Sequence, residues 1–225
     1  MKKHSFLPLL LTATLFTGCN SQNQENSTAL LSETVNNKPH VAILPLIDNS
    51  EQALGWNLSD EFTYTLCSKL SQKELFTIAT PHQVALQAKK MKGTNNPFST
   101  DISWMKTVFA EEDFVVFLEL IEHKEEPNMP VSQQVSSAPE TLSAQLNICL
   151  RLRVIDLRKE TPLVTLQEIF QETHFVPRQF TQYNFHQASW NTEEFTLSPV
   201  GIAHAQLLKE LKTRVEEYIL IALRS

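Results

Sequence analysis

The sequence has 225 residues, of which 42% are hydrophobic and 20% are charged, and its formal net charge is −6 at pH 7. This length provides one sizeable hydrophobic core, but few residues for two. The acidic balance argues against a nucleic-acid-binding protein, which needs a basic surface to meet phosphate groups.

The amino terminus has the pattern of a targeting segment. Lys2 and Lys3 precede an apolar stretch, residues 6–16, that is too short for a membrane-spanning helix of about 20 residues. The stretch runs into Leu-Phe-Thr-Gly-Cys at residues 15–19, which resembles the lipobox of bacterial lipoproteins. The resemblance implies that residues 1–18 are a signal peptide and that Cys19 carries acyl chains such as palmitate. An ordinary signal peptide that ends near a cysteine is the alternative.

The resemblance also implies a location. Multiple acyl chains on one cysteine give lasting membrane attachment, whereas a single chain binds only marginally. In this class an Asp after the lipidated cysteine commonly marks retention in the inner membrane, and here Asn20 stands in that place. We therefore expect an outer-membrane lipoprotein that faces the periplasm, and exposure at the cell surface stays open.

Residues 19–37 are rich in Asn, Gln, Ser and Thr and lack apolar periodicity, so they predict a flexible tether. Residues 38–225 then predict a single α/β domain. Cys67 and Cys149 remain after lipidation of Cys19, and an oxidising periplasm permits a disulfide between them. Sequence spacing does not give their distance, so the disulfide stays open.

The first elements of the domain are a strand, a helix and a second strand. Residues 40–48, HVAILPLID, are almost continuously apolar and predict a buried central strand. Apolar side chains then recur every four residues, at Leu58, Phe62, Leu66 and Leu70. This spacing predicts an amphipathic helix, and residues 75–79 predict the strand after it.

Two more helices and a strand follow. Thr80, Pro81 and Gln83 fit a capping box with proline at the first helical position, which predicts a helix to about residue 92. A short helix over residues 101–110 leads into an apolar strand that begins at about residue 113. Residues 124–141 contain three prolines and few large apolar side chains, so they predict a long mobile loop.

The last part of the chain predicts a hairpin and a long helix. Six apolar residues alternate with polar ones between residues 144 and 154, which predicts a half-buried strand. A partner strand covers about residues 164–171. Ser198 as the cap and Pro199 at the first helical position predict a helix to about residue 223. The order of elements predicts an α/β fold with one mixed sheet of about five strands, helices packed on it and a long C-terminal helix.

The chemistry-bearing residues do not form a catalytic motif. The four glycines are isolated, which excludes a phosphate loop, a dinucleotide fingerprint and a nucleophile elbow. Histidines are scattered without metal-ligand spacing. Asp48 is expected to close a turn, and residues 111–113, Glu-Glu-Asp, are expected to be a solvated turn rather than a pair of catalytic carboxylates. We expect no enzyme, no cofactor and no metal site.

Three segments carry a further resemblance. VAILPLIDNS, the following helix–strand–helix stretch that ends in ATPHQV, and DFVVFLELIE resemble a domain shared by envelope proteins. These proteins are the curli secretion-channel lipoprotein, the penicillin-binding-protein activator lipoproteins and the amino-terminal domain of the Tol-system propeller protein. The chain is also similar to a chlamydial lipoprotein family of unknown function. The likeness covers residues 40–90, and loosely residues 113–172, and it rests on hydrophobic pattern, so it transfers no binding residue.

The resemblance implies a lipid-anchored, non-catalytic lipoprotein that binds a protein partner in the assembly or activation of cell-envelope machinery. A tether of about 20 flexible residues gives such a module a reach of roughly 25 Å. The alternative is an oligomeric outer-membrane secretion-channel subunit, but neither residues 124–141 nor residues 180–190 alternate as membrane strands do. A second alternative, an envelope hydrolase, lacks the motifs named above.

Residues 175–195 concentrate aromatic side chains among Gln, Asn and Thr without a helical or strand period. Aromatic residues beside adaptable polar groups are typical of protein interfaces. We therefore predict a possible partner surface with these four members: Phe180, Tyr183, Phe185 and Trp190. The alternative is that the segment lies over the sheet and buries its rings.

Overall fold

The structure is a computed structural model, and it describes residues 38–50, 54–91, 93, 95–127, 143–177 and 189–225. Residues 38–225 group into one compact unit. Cys19, the predicted signal peptide and the predicted tether lie outside the described residues.

Six strands form one mixed sheet, and five helices are described beside it. The strands are β1 (His40–Ile43), β2 (Ile47–Asp48), β3 (Thr77–Ile78), β4 (Phe114–Pro127), β5 (Ala144–Asp156) and β6 (Leu163–Val176). The helices are α1 (Leu58–Ser71), α2 (Pro81–Ala88), α3 (Met105–Val108), α4 (Glu193–Leu197) and α5 (Pro199–Leu223). The strand order is β3-β1-β4-β5-β6, with β2 also beside β4. The pairings of β1, β2 and β3 are parallel, and β4, β5 and β6 are antiparallel, so the predicted mixed α/β fold is confirmed.

The predicted first strand is two short strands, because Pro45 interrupts it. Proline has no backbone N–H for the ladder. At the next residue, side chains of α1 satisfy the backbone: Leu46 N–H donates to Thr63 Oγ1 (3.0 Å) and Ser59 Oγ donates to the Leu46 carbonyl (2.7 Å). This break accounts for six strands where the sequence predicted about five.

The helix starts follow the sequence more closely than the ends do. The capping box at Thr80 is present and Ser198 Oγ accepts the Gly201 N–H, as predicted. Helix α2 ends at Ala88 rather than near residue 92, because the next amides bond three residues back, in tighter turns. Helix α3 is four residues long rather than ten.

The sheet buries apolar side chains on both faces. On one face, α1 and α5 pack over alternate residues of β1, β4 and β5, and the predicted inward residues of β5 are all buried there. On the other face, α2, α3 and the segment before α3 cover a smaller cluster that includes Ala42, Val115, Phe117 and Ile155. The second cluster covers only the part of the sheet near β1.

Strand β4 is longer than predicted and carries a bulge. Residues 124–127, predicted as the start of the loop, continue β4 and pair with residues 144–147 of β5. The rest of that predicted loop, residues 128–141, lies outside the described residues. The register shifts between Leu120 and Glu122, so one extra residue reverses the alternation of β4. After the bulge His123 points to the face that α5 covers, where it pairs with Ile148.

Candidate functional site

Of the predicted partner residues, the structure describes one. Phe180, Tyr183 and Phe185 lie outside the described residues, as does Cys19. Trp190 is half-buried, packs against the larger core cluster and stacks on Tyr64, with ring centroids 6.3 Å apart. The predicted four-residue partner surface therefore stays a prediction.

The two acidic features noted in the sequence have local roles. Asp48 Oδ1 accepts hydrogen bonds from the Ser50 N–H (3.0 Å) and the Ser50 hydroxyl (2.7 Å), which closes a turn as expected. Asp113 Oδ2 accepts the His40 N–H at 2.8 Å. Glu112, in contrast, is half-buried, and burial raises the pKa of its carboxyl group.

A polar network lies inside the core between α1, α5 and β4. Trp56 Nε1–H donates to Glu61 Oε2 at 2.7 Å, and His204 Nδ1 donates to Glu61 Oε1 at 2.7 Å. His204 Nε2 lies 2.8 Å from His123 Nε2, so one of these two nitrogens donates to the other. Glu61, His204 and His123 are at most 2% exposed.

This network connects three elements rather than serving a reaction, because a substrate has no access to side chains so deeply buried. Burial, and then the charge of His204, lower the pKa of His123 from 6.5 to about 3, so this imidazole is neutral at ordinary pH. The sequence pattern does not reveal this network. An acidic residue such as Glu61 is common in the first turn of a helix, and the two histidines are 81 residues apart in the chain.

The face of the sheet that α2 and α3 cover near β1 is open further along β4, β5 and β6, in the part of the chain that the structure describes. Its half-buried or exposed positions include Glu122 and Lys124 on β4, and Asn147 and Cys149 on β5. Large apolar side chains stand among these polar groups, with exposed fractions of 59% for Ile169, 61% for Phe175 and 41% for Ile121.

Strand β6 forms one edge of the sheet, and no described strand pairs with its outer side. The edge is 14 residues long and contains neither lysine nor proline. Its residues on the open face are exposed and uncharged: Gln167, Ile169, Gln171, Thr173 and Phe175. Natural sheet edges are usually blunted by short strands, prolines or outward lysines. Among the described residues, this edge has unpaired backbone groups and little such protection. The open face and this edge together are the candidate functional site, which we call the β6 surface.

Comparison with known proteins gives a family. Residues 27–223 match the model of DUF7499, a family of unknown function. The chain belongs to the DUF7499 family. No curated protein matches the sequence.

One solved structure shares the fold of this DUF7499 chain, and two others are similar at a lower level. The hypothetical protein CT253 from Chlamydia trachomatis is 24% identical, with a TM-score of 0.61 over 81% of this chain and 98% of that chain. Lipoprotein GNA1162 from Neisseria meningitidis (TM-score 0.40, covering 78% of this chain and 99% of that chain) and the LpoB C-terminal domain from Salmonella enterica (0.37, covering 64% and 93%) are each 9% identical. The last two likenesses are too remote to indicate a function. The fold part of the resemblance seen in the sequence is confirmed, and its more specific part stays a prediction.

The described part of the DUF7499 chain offers little for metal or thiol chemistry. It contains no group of three His, Cys, Asp or Glu residues placed to hold a metal ion. Cys67 and Cys149 are both free thiols, and burial raises the pKa of Cys67 to about 11. Among the described helices, none combines the length and the apolar character that a membrane span requires.

Proposed function

We propose that this chain is a lipid-anchored, non-catalytic module of the bacterial envelope that binds a protein partner along the β6 surface. Cys19 carries the lipid, residues 19–37 are the tether, and residues 38–225 are the binding domain. The partner takes part in the assembly or activation of envelope machinery. The only buried acid–histidine network in the described residues is closed to substrates, which favours binding over catalysis.

The observation that carries this proposal is the outer edge of β6, with which no described strand pairs, beside exposed Ile169 and Phe175. An unpaired strand edge offers a row of backbone donors and acceptors that a second extended chain satisfies. Apolar side chains on alternate positions of the same face add contact area and specificity. The occupant that fits is therefore an extended segment of a partner protein, added to the sheet next to β6.

Charge on the other side of β6 defines this segment further. Glu168 and Glu172 lie four residues apart on the helix-covered face of the strand and are partly exposed at its edge. Glu168 pairs with Arg214 at 3.7 Å and Glu172 with His174 at 2.7 Å. Because His174 is charged only when protonated, this edge of β6 has more negative than positive charge. A strand that adds to β6 is expected to place basic residues opposite these carboxylates and apolar residues opposite Ile169 and Phe175.

Site-specific photo-crosslinking in intact envelopes tests the proposal. A crosslinking amino acid replaces Thr173 on β6 in one strain and Glu210, exposed on α5, in another. We expect a discrete adduct from position 173 that mass spectrometry maps to an extended, partly basic segment of another protein. The adduct should require lipidation, so a Cys19→Ser chain without membrane attachment should form much less of it.

Two isoleucines of equal exposure provide a matched control. Ile169 on β6 is 59% exposed and Ile221 on α5 is 58% exposed. Ile169→Lys should abolish the adduct, whereas Ile221→Lys should leave it unchanged. Equal effects of the two substitutions, or an adduct formed equally from position 210, would contradict the proposal. An adduct between copies of this chain within a large ring would instead favour a channel subunit.

A further inference from the structure

A groove lies at the opposite edge of the sheet from β6. It has a volume of about 540 Å³ and is bounded by α2, by the segment after α3 and by the starts of β1 and β3. Ile78, Leu86 and Val108 give it apolar walls, and Gln87 and Glu112 line it between them. Ligand sites commonly have a volume of this size. The lining here is polar and apolar in about equal parts, and it also includes the exposed side chains of Lys90 and Glu111.

Two oxygen atoms of this groove have unused acceptor capacity. Gln87 Oε1 and Glu112 Oε2 are buried, and within the described residues neither has a hydrogen-bond partner. Buried acceptors are nearly always satisfied in native proteins, so each of these calls for an explanation. Both atoms belong to half-buried side chains that line the groove.

The position of Glu112 in the groove lowers the stability of the fold when its carboxyl group is ionised. Burial, together with neighbouring Glu111 and Asp113, raises the pKa of the Glu112 carboxyl. A side-chain hydrogen bond with Gln87 and the charge of His40 lower that pKa by less. A carboxyl group with a raised pKa in the folded state stabilises the fold only when protonated, so ionised Glu112 is unfavourable at neutral pH. Residues that cost stability are often retained for binding.

We propose that this groove binds a cationic nitrogen group, a guanidinium or an alkylammonium, on an apolar stem. The cation donates hydrogen bonds to Glu112 and Gln87, and the stem lies against Ile78, Leu86 and Val108. Such a cation both supplies N–H donors for the two oxygens and neutralises the half-buried Glu112 carboxylate. The site is separate from the β6 surface and does not depend on the function proposed for it.

Titration followed by amide chemical shifts tests the site, with n-butylguanidinium as the probe. The matched probe n-butylurea has the same stem and nearly the same shape but no charge. We expect saturable shifts at residues 83–90 and 107–112, in the millimolar range that suits so small a ligand, about 1–10 mM. Butylurea should bind at least about tenfold more weakly, because it lacks the charge-assisted hydrogen bond.

Two variants distinguish binding at Glu112 from a nonspecific attraction of the cation to the negative charge of the protein. Glu112→Gln should weaken butylguanidinium at least about tenfold without lowering the thermal midpoint, whereas Glu210→Gln, the same charge change at an exposed carboxylate of α5 outside the groove, should change affinity less than about threefold. An N-acetyl-arginine amide titration tells whether a peptide side chain or a small free cation fits better. Absence of saturable shifts for the cations, equal binding of butylurea, or equal losses in the two variants would overturn the proposal.

Discussion

Replacing His204 by leucine should break the buried network that joins α1, α5 and β4. His204 is fully buried and holds Glu61 at 2.7 Å and His123 at 2.8 Å. Leucine fills most of the space, but it offers no hydrogen bond to either neighbour. Within the described part of the chain, the Glu61 carboxylate would then keep only the hydrogen bond from Trp56 Nε1–H.

The expected loss follows from two hydrogen bonds. The bond to the Glu61 carboxylate is a hydrogen bond to a charged group, and losing it costs about 1.5–3 kcal/mol. The substitution also removes the bond to the buried His123 ring, at a cost of about 1–3 kcal/mol. We therefore expect His204→Leu to lower the free energy of unfolding by about 4 kcal/mol, within the range for breaking a buried charged pair. Gln206→Leu, two residues further along the exposed side of α5, should cost less than about 0.5 kcal/mol.

Urea unfolding of the soluble Cys19→Ser chain measures these values, and a double variant tests the reason for them. If the cost comes mainly from a stranded carboxylate, Glu61→Met combined with His204→Leu should cost less than His204→Leu alone, about 2 kcal/mol. A double variant whose cost equals the sum of the two single variants would refute the coupled network. So would a loss below about 1 kcal/mol for His204→Leu.

The remaining predictions concern pH and packing. The pKa of His123 falls from 6.5 to about 3 on folding, so between these pH values the unfolded chain binds one more proton than the folded chain. As the pH is lowered to 5, the free energy of unfolding of the wild type should therefore fall by about 2 kcal/mol more than that of His123→Leu. Urea unfolding at several pH values measures this, and parallel curves for the two proteins would contradict it. Arg158→Met removes the side-chain partner of the buried Asp156 carboxylate, which keeps the hydrogen bond from the backbone N–H of residue 158, and it should cost about 3 kcal/mol. Arg214→Met breaks an exposed pair and should cost less than about 1 kcal/mol, so equal losses would refute the difference. Gly201→Ala places a Cβ 1.9 Å from a backbone oxygen and should cost about 2 kcal/mol, whereas Gly93→Ala meets nothing within 4 Å; thermal melting should separate the two.

Periodicity predicted the elements whose burial is regular. The spacing of Leu58, Phe62, Leu66 and Leu70 gave α1, and all four side chains are buried. The alternation in β5 gave its inward face. Caps at Thr80 and Ser198 gave the starts of α2 and α5 to the residue, because a side-chain hydrogen bond to the first turn is a local interaction.

Features that depend on distant contacts were missed. The charged residues 124–127 have the pattern of a loop, but they form part of a paired strand. The strand accommodates their charges because these lie on the open face or near the end of the sheet. The bulge after Leu120 carries His123 onto the core face, and no pattern of period two predicts such an inversion. The polar network needs three elements to meet, so only tertiary structure brings its residues together.

Amide hydrogen exchange of the isolated soluble chain tests the central claim, the free edge of β6, most directly. In an antiparallel edge strand only every second amide pairs with the inner neighbour. Along Leu163–Val176 we therefore expect fast and slow amides to alternate, while the amides of β5, paired on both sides, are all slow. Addition of the captured partner should slow the fast set. Uniform protection along β6 in the isolated chain would mean that the edge is already covered, and it would contradict the account.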